Sequence, residues 1–466
     1  MSKSSSVFAC QACGTTFPKW AGKCEACGGW NCLVEEAAAS GPPKGLNDSK
    51  NRSKSNRIEF VPLKSTSDFQ IPRRLSNIGE FDRVVGGGLV SGSATLVGGD
   101  PGIGKSTILL QVVCNLAAQH KIAYISGEES LDQVRLRAAR LGLADVSCSL
   151  ASETSVRDIV ASIDKDPPDV LVIDSIQTMY VDTLDSAPGT VAQVRTSAQE
   201  LIRVAKKRDI SLILVGHVTK DGAIAGPRVL EHMVDTVLYL EGDRGHQFRV
   251  LRSVKNRFGP TDEIGVFEMT EKGLMEVQNP SALFLADRRD DMSGAAVFAG
   301  LEGTRPVLVE IQALVAPAAF GTPRRAVIGW DAGRLAMILA VLEARCGVVF
   351  GANDVYLNVA GGLHISEPAA DLAVAAALIS SLTGEPVPAS CVAFGEIGLS
   401  GEVRRVSQPE LRLKEAAKLG FTQALMPQTD KARKTGAVSF LRTTEIRQLS
   451  ELLPLFEATK PQILRA

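Results

Sequence analysis

The sequence predicts an α/β protein with three structured parts. These are an N-terminal zinc ribbon, a mainly parallel sheet around a phosphate loop, and a second α/β block at the C-terminal end. Three observations predict it. Residues 1–35 hold five of the nine cysteines, four of them in two Cys-x-x-Cys pairs. The run "GGDPGIGKST" follows an apolar strand and precedes an amphipathic helix, the setting a phosphate loop requires. From residue 67, apolar strands alternate with helical stretches and glycine-rich turns, the pattern of a parallel sheet with helical crossovers.

A chain of 466 residues is too long for one core. Composition shifts divide it into a ribbon at 1–35, a flexible linker at 36–66, a nucleotide-binding domain at 67–278 and a C-terminal domain at 279–466. With 45% hydrophobic and 22% charged residues, the composition is that of a soluble globular protein. The net charge of −1 excludes a global basic field, so anion binding must come from local patches. There is no apolar run of about 18 residues and no apolar leader segment, which predicts no membrane span and a cytoplasmic setting. In a reducing compartment the cysteines are metal ligands or thiols rather than disulfides.

In the ribbon, Cys10 and Cys13 form one pair and Cys24 and Cys27 the other, with ten residues between them. Each Cys-x-x-Cys turn sets two thiolates on one side of a metal, and two such turns complete a tetrahedron. Gly14 and Gly28 follow the pairs and permit the tight turns. Four ligands leave no position open for water, so the zinc is structural, and Cys32 packs beside it. The alternative is two redox pairs or free thiols. The linker carries Lys44, Lys50, Arg52, Lys54, Arg57 and Lys64 and reads as a solvated tether or a non-specific phosphate contact.

The phosphate loop spans Gly99, Asp100, Pro101, Gly102, Ile103, Gly104, Lys105, Ser106 and Thr107. Its backbone N–H groups and the helix N-terminus wrap the phosphates of ATP. Lys105 is expected to reach the β- and γ-phosphates and Ser106 to touch Mg²⁺. "KIAYISGEES" is a strand ending in Glu128 and Glu129, where a glutamate can polarise the attacking water, with a helix N-cap cluster as the other reading. "PDVLVIDS" ends at Asp174, the second Mg²⁺ anchor. "DISLILVGHVTK" ends at His217, a sensor of the γ-phosphate or a structural histidine. The alternating run "QFRVLRSV" leads into Lys255, Arg257 and Phe258 of "SVKNRFGP", so this cluster sits where a strand ends.

The phosphate loop together with "GEES", "LVIDS" and "GHVTK" resembles the RecA-type ATPase core. With the ribbon, the pentapeptide "KNRFG" and a C-terminal block resembling the proteolytic domain of Lon, the whole chain resembles the bacterial RadA (Sms) family. That resemblance implies an ATP-driven helicase-type motor of DNA repair and recombination. It forms a homo-hexamer on single-stranded DNA and promotes branch migration alongside RecA. It places Glu128 as the water-activating glutamate and His217 as the γ-phosphate sensor. Because RecA-type enzymes bind ATP between subunits, Lys255 and Arg257 are expected either at a neighbour's γ-phosphate or on DNA in the pore, with Phe258 stacking; a solvated turn is the third reading. Loops after Asp174 and at "TKDGAIAGPRVLEH", with Lys220 and Arg228, are expected to touch DNA.

In the Lon-like block, the serine position falls on Ala369 and the lysine position on Arg412. Alanine has no nucleophile, and arginine stays protonated and is no base. Ser366 and Lys414 lie near these positions but need a register shift. A scaffold without proteolysis follows, with Arg404, Arg405, Arg412 and Lys414 as a surface for duplex DNA or as a solvated face. The competing classes are a RecA-fold nucleotide switch that signals to protein partners, which the near-neutral charge favours, and an ATP-dependent protease.

Overall fold

The computed structural model describes residues 6–10, 15–26, 28–30, 33–37, 72–217, 229–242, 247–261, 263–285, 288–289, 291–318, 322–429 and 441–456. The chain divides into two compact units, residues 1–241 with 249–276, and residues 277–466 with 242–248.

The ribbon is a three-stranded antiparallel sheet of β1 (Ser6–Cys10), β2 (Thr16–Phe17) and β3 (Leu33–Ala37), in the order β2-β1-β3. Cys10, Cys24 and Leu33 form its small buried cluster. Among the described residues this is little apolar surface to offset the ordering entropy of the chain.

In the larger part of the first unit, a small ribbon of β4 (Arg73–Arg74) and β5 (Leu89–Val90) brackets helix α1 (Gly79–Val84). The main sheet begins with β6 (Ala94–Gly99), followed by α2 (Lys105–Leu116), β7 (Ile122–Ser126), α3 (Leu131–Arg140) and β8 (Ser149–Ser152). Then come α4 (Val156–Lys165), β9 (Val170–Asp174), α5 (Val191–Lys207), β10 (Ser211–Val215), α6 (Val229–Met233) and β11 (Thr236–Glu241). Three strands close it: β12 (Phe248–Asn256), β13 (Ile264–Thr270) and β14 (Gly273–Glu276). The sheet order is β14-β13-β12-β11-β6-β10-β9-β7-β8. The run from β11 to β8 is parallel, and β12 pairs antiparallel with β11.

Both faces of the parallel strands are covered, so they read as continuous apolar runs rather than alternating ones. The pleat nevertheless sorts them. Val97, Val170, Val172, Ile213 and Val215 pack with α1, α2 and α3, whereas Leu96, Leu171, Ile173, Leu212 and Leu214 pack with α4 and α5. Each such fully buried side chain contributes roughly 1.5–3 kcal/mol. Helix starts are local: Ser130 forms a reciprocal capping box with Gln133, and Ser155 and Thr190 cap α4 and α5.

The second unit starts with α7 (Pro280–Phe284), β15 (Ala295–Glu302), β16 (Arg305–Pro317), β17 (Arg325–Ile328), α8 (Ala332–Cys346) and β18 (Asn353–Val359). It continues with α9 (Asp371–Thr383), β19 (Cys391–Ala393), β20 (Glu396–Ile397), β21 (Val403–Arg404), α10 (Pro409–Lys418), β22 (Gln423–Pro427) and β23 (Arg442–Ile446). Its seven-stranded sheet has the order β17-β18-β16-β15-β19-β22-β23. The alanine-rich α9 is buried along Asp371–Ser380, where small side chains let it lie close against the sheet. No helix among the described residues is long and apolar enough to cross a membrane.

Candidate active site

The parallel strands deliver their polar ends to one edge of the sheet. β6 leads into the phosphate loop, β7 into Glu128, β9 into Asp174 and β10 into His217. β6 lies between β10 and β11, so the loop emerges near the middle of that edge, where open α/β sheets bind ligands. Gly99 has φ +149°, and a Cβ there would meet the Leu240 carbonyl oxygen at 2.5 Å. Only glycine fits where the loop passes β11.

Lys105 is buried at the first turn of α2. Its ammonium donates to the Gly99 and Asp100 carbonyls at 2.7 and 2.9 Å. Burial lowers its pKa, against the opposing charges of Asp174, Asp100 and Glu128. Asp174 is buried and accepts a 2.5 Å hydrogen bond from the Tyr124 hydroxyl at Oδ2. Burial beside that carboxylate pushes the Tyr124 phenol upward, so it stays a donor. The Ser106 hydroxyl and the Asp174 carboxylate are hard oxygen donors, the set that fits Mg²⁺, an ion that keeps several waters and takes one or two protein oxygens.

The two glutamates after β7 are wired differently. Glu129 makes a two-point pair with Arg137, at 2.6 and 2.5 Å. Glu128 accepts from His217 Nε2 at 3.0 Å and from the Ser175 hydroxyl in a short hydrogen bond. The His217 bond, ahead of the Ser175 bond and the Lys105 charge, outweighs burial and holds Glu128 at about 2. The cap of α3 is made by Ser130, not by either glutamate. The Asp174–Ser175 peptide is cis. Beyond Ser175, Gln193 holds the following loop through the backbone of Val181 and the carbonyls of Leu184 and Ser186. Thr219, Lys220 and Arg228 lie outside the described residues, as do Cys13, Cys27 and Cys32. Of the expected zinc ligands, Cys10 and Cys24 are described, both fully buried, with their N–H groups bonded to Thr15 and Gly29. Two buried thiols in one small cluster suit a thiolate metal site.

The "KNRFG" segment lies at the other edge of the sheet. Asn256 pairs with Thr236 at the start of β11, and Thr236 pairs with Thr95 at the start of β6. The loop at Gly99 is the far end of β6, on the order of 15 Å away. Lys255 and Arg257 are therefore remote from the phosphate loop of their own chain. Lys255 donates to the carbonyls of Glu231 and Val234 at 2.7 and 2.8 Å, closing the C-terminal end of α6. Burial and the Arg257 charge lower its pKa. Arg257 is 59% exposed and touches Asp235 at 3.2 Å. Asn256 Oδ1 accepts from the Phe258 N–H, the Phe258 carbonyl is held by Arg73, and its ring is half-buried. Gly259 packs backbone to backbone on Gly86, and a Cβ there would meet the Gly86 Cα at 2.8 Å. The segment is a built turn rather than a solvated one, with Arg257 as its outward cation.

In the second unit, Arg412 is fully buried. Its guanidinium donates to Ser407 O at 3.0 Å, to Ala299 O at 2.8 Å and to both carboxylate oxygens of Glu367, and it lies over the Phe394 ring. Ala369 is buried two residues beyond Glu367, and Ser366 and Lys414 are exposed. Arg404 pairs with Glu402, and Arg405 donates to Gln428 O. Arg412, once expected on a surface, is thus corrected to a core residue: "PELRLKEAA" turns it inward, where Glu367 neutralises it.

Sequence reasoning missed Tyr124, Ser175, Arg137 and Asp235. Tyr124 carried a signal, since a tyrosine in a fully buried strand needs a partner for its hydroxyl. Asp235 had none in the sequence. A cavity of about 500 Å³ opening beside Thr107, between Arg140 and the β13–β14 turn with Met269 and Glu271, was not foreseen either.

Residues 8–35 match the family described as a rubredoxin metal binding domain, residues 65–223 the AAA domain, and residues 330–430 subunit ChlI of Mg-chelatase. The chain is 60% identical over 433 residues to "DNA repair protein RadA" of Brucella abortus (strain 2308), covering 92% of each chain. It is 51% identical to the protein of that name from Bacillus subtilis (strain 168), over 92% of this chain and 93% of that one. It is 50% identical to that of Pseudomonas aeruginosa, over 97% of this chain and 100% of the other.

Proposed function

The chain belongs to the family of DNA repair protein RadA, a DNA repair and recombination ATPase with a metal-binding ribbon, and from that premise we propose that it is an ATP-driven motor. It moves on single-stranded DNA as a ring of identical subunits, hexameric by resemblance, and promotes branch migration of recombination intermediates alongside RecA. ATP sits on the loop around Lys105, with its base in the cavity beside Thr107. When bound with the nucleotide at Ser106 and Asp174, Mg²⁺ neutralises phosphate charge. Glu128, ionised throughout the working range, orients and polarises the attacking water; His217 holds Glu128 and reports on the γ-phosphate. Lys105 leaves its carbonyl partners for the β- and γ-oxygens.

The single observation that carries the ring reading is the position of Arg257. It is exposed, cationic and at the sheet edge opposite its own phosphate loop, so it serves a neighbour's nucleotide rather than its own. Lys255 shapes the turn and ties it to α6, directly after the segment with Lys220 and Arg228, the phosphate contacts proposed for DNA; Phe258 offers its ring edge to a base. The second unit scaffolds the ring without proteolysis, since Ala369 supplies no nucleophile and Arg412 no base.

The test is ATP hydrolysis with and without single-stranded DNA in the wild type, Lys105→Ala and Arg257→Ala. The motor reading expects DNA to raise the wild-type rate, Lys105→Ala to abolish it, and Arg257→Ala to lose the stimulation while still binding DNA in a salt-sensitive way. No DNA binding and no stimulation in the wild type would move the protein to the nucleotide-switch class.

A further inference from the structure

We propose that Asp235 is a positioning residue that ties Arg257 to the foot of the phosphate-loop strand and aims it at the neighbouring subunit. The proposal rests on the reading of Arg257 as a cation supplied between subunits. Asp235 is 5% exposed and sits between β6 and the pentapeptide turn, bonded to each twice. Toward the strand, its N–H donates to the Ala94 carbonyl at 2.9 Å, and its Oδ2 accepts from the Ala94 N–H at 3.1 Å. Toward the turn, its carbonyl accepts from the Arg257 N–H at 3.1 Å, and its Oδ1 accepts from the Arg257 guanidinium at 3.2 Å.

Ala94 is the first residue of β6, the strand that ends in the phosphate loop. One buried residue therefore fixes the outward arginine to the strand that ends in the phosphate loop: the Asp235 main chain holds the Arg257 backbone, and its carboxylate holds the guanidinium. A long side chain that is 59% exposed loses rotamer freedom through this tie before it meets a partner. Lys206 reaches the same Oδ1 at 3.2 Å from α5 and is the second cation on the carboxylate. With two cations sharing one anion, the site keeps a net positive charge facing outward, as an anionic phosphate requires.

Asp235→Asn tests this in the full chain. The amide oxygen still accepts from Ala94, and the two cations released are solvent-accessible, so the fold is retained. DNA-stimulated kcat is expected to fall by about tenfold to a hundredfold, as for a displaced catalytic group, with KM for ATP within about twofold of wild type. Added to Arg257→Ala, Asp235→Asn is expected to cause no further loss. Co-assembly separates the two ends of the tie. Asp235→Asn chains mixed with Lys105→Ala chains are expected to regain turnover, because the Lys105→Ala subunit brings an intact Asp235–Arg257 pair to its neighbour's nucleotide.

A wild-type rate for Asp235→Asn, or an additive loss with Arg257→Ala, overturns the proposal. So does failure of this mixture when Arg257→Ala mixed with Lys105→Ala does recover, which would place the effect in the chain's own phosphate strand. If neither mixture recovers, the shared-site reading itself fails and takes this proposal with it.

Discussion

The phosphate-loop edge of the ATPase core and the Glu367–Arg412 site of the second unit each gather opposite charges beside a position where family resemblance looks for chemistry. They spend those charges in opposite ways. At the first, Glu128 is 41% exposed and held by one histidine and one hydroxyl, while Lys105 leans on two carbonyls of its own loop. Exchanging such contacts for phosphate oxygens costs little. At the second, Arg412 is fully buried, and its hydrogen bonds go to two carbonyls and a carboxylate that also accepts from the Leu301 N–H. Every group there is consumed by its neighbours. A working site keeps its charges addressable, whereas a charge retained for structure is sealed in.

Four measurements break or sharpen that contrast. The largest effect is expected from Lys105→Ala, which should lower ATP turnover by at least about a hundredfold in a phosphate-release assay, with the melting temperature nearly unchanged. Glu128→Gln should cost a similar or somewhat smaller factor in kcat and preserve ATP binding, while Glu129→Gln, losing only its pair with Arg137, should stay within about fivefold. The reverse ranking would reassign the base. Arg412→Ala should leave turnover per folded subunit intact but destabilise the second unit by about 3–5 kcal/mol, because it strands Glu367. Calorimetry reads this as a lowered second-unit transition, and casein should remain uncut in wild type and in Arg412→Lys alike.

The smallest effect is in pH. A Glu128 carboxyl near 2 is ionised across the working range, so the kcat profile from about pH 5 to 8 should show no acid limb that disappears in Glu128→Gln. Its folded pKa is depressed. Its stabilising contribution is therefore complete above the unfolded value of about 4.3 and lost as pH falls through about 2. The melting-temperature gap between wild type and Glu128→Gln should narrow over that window.

Much of the fold and part of the site were legible in the sequence. The loop from Gly99 to Thr107 and the strands ending at Asp174 and before His217 are written in contiguous residues. The physics behind them is local: glycine at φ +149°, a helix start, an apolar run. Glu128 and Glu129, adjacent in the chain, could not be told apart that way, because their difference lies in Arg137 on one side and in Ser175 and His217 on the other.

By itself the sequence determined the three-part α/β order and the phosphate loop with its lysine. These follow from residue chemistry and short-range periodicity, which need no partner distant in the chain. The tertiary structure alone decided which glutamate faces His217, that Arg412 is sealed against Glu367, and that Asp235 joins Ala94 to Arg257. It also decided that "KNRFG" stands at the edge away from its own nucleotide. That last placement depends on β12 running antiparallel beside β11, a long-range pairing whose register is set by the packed sheet and not by the residues of the segment.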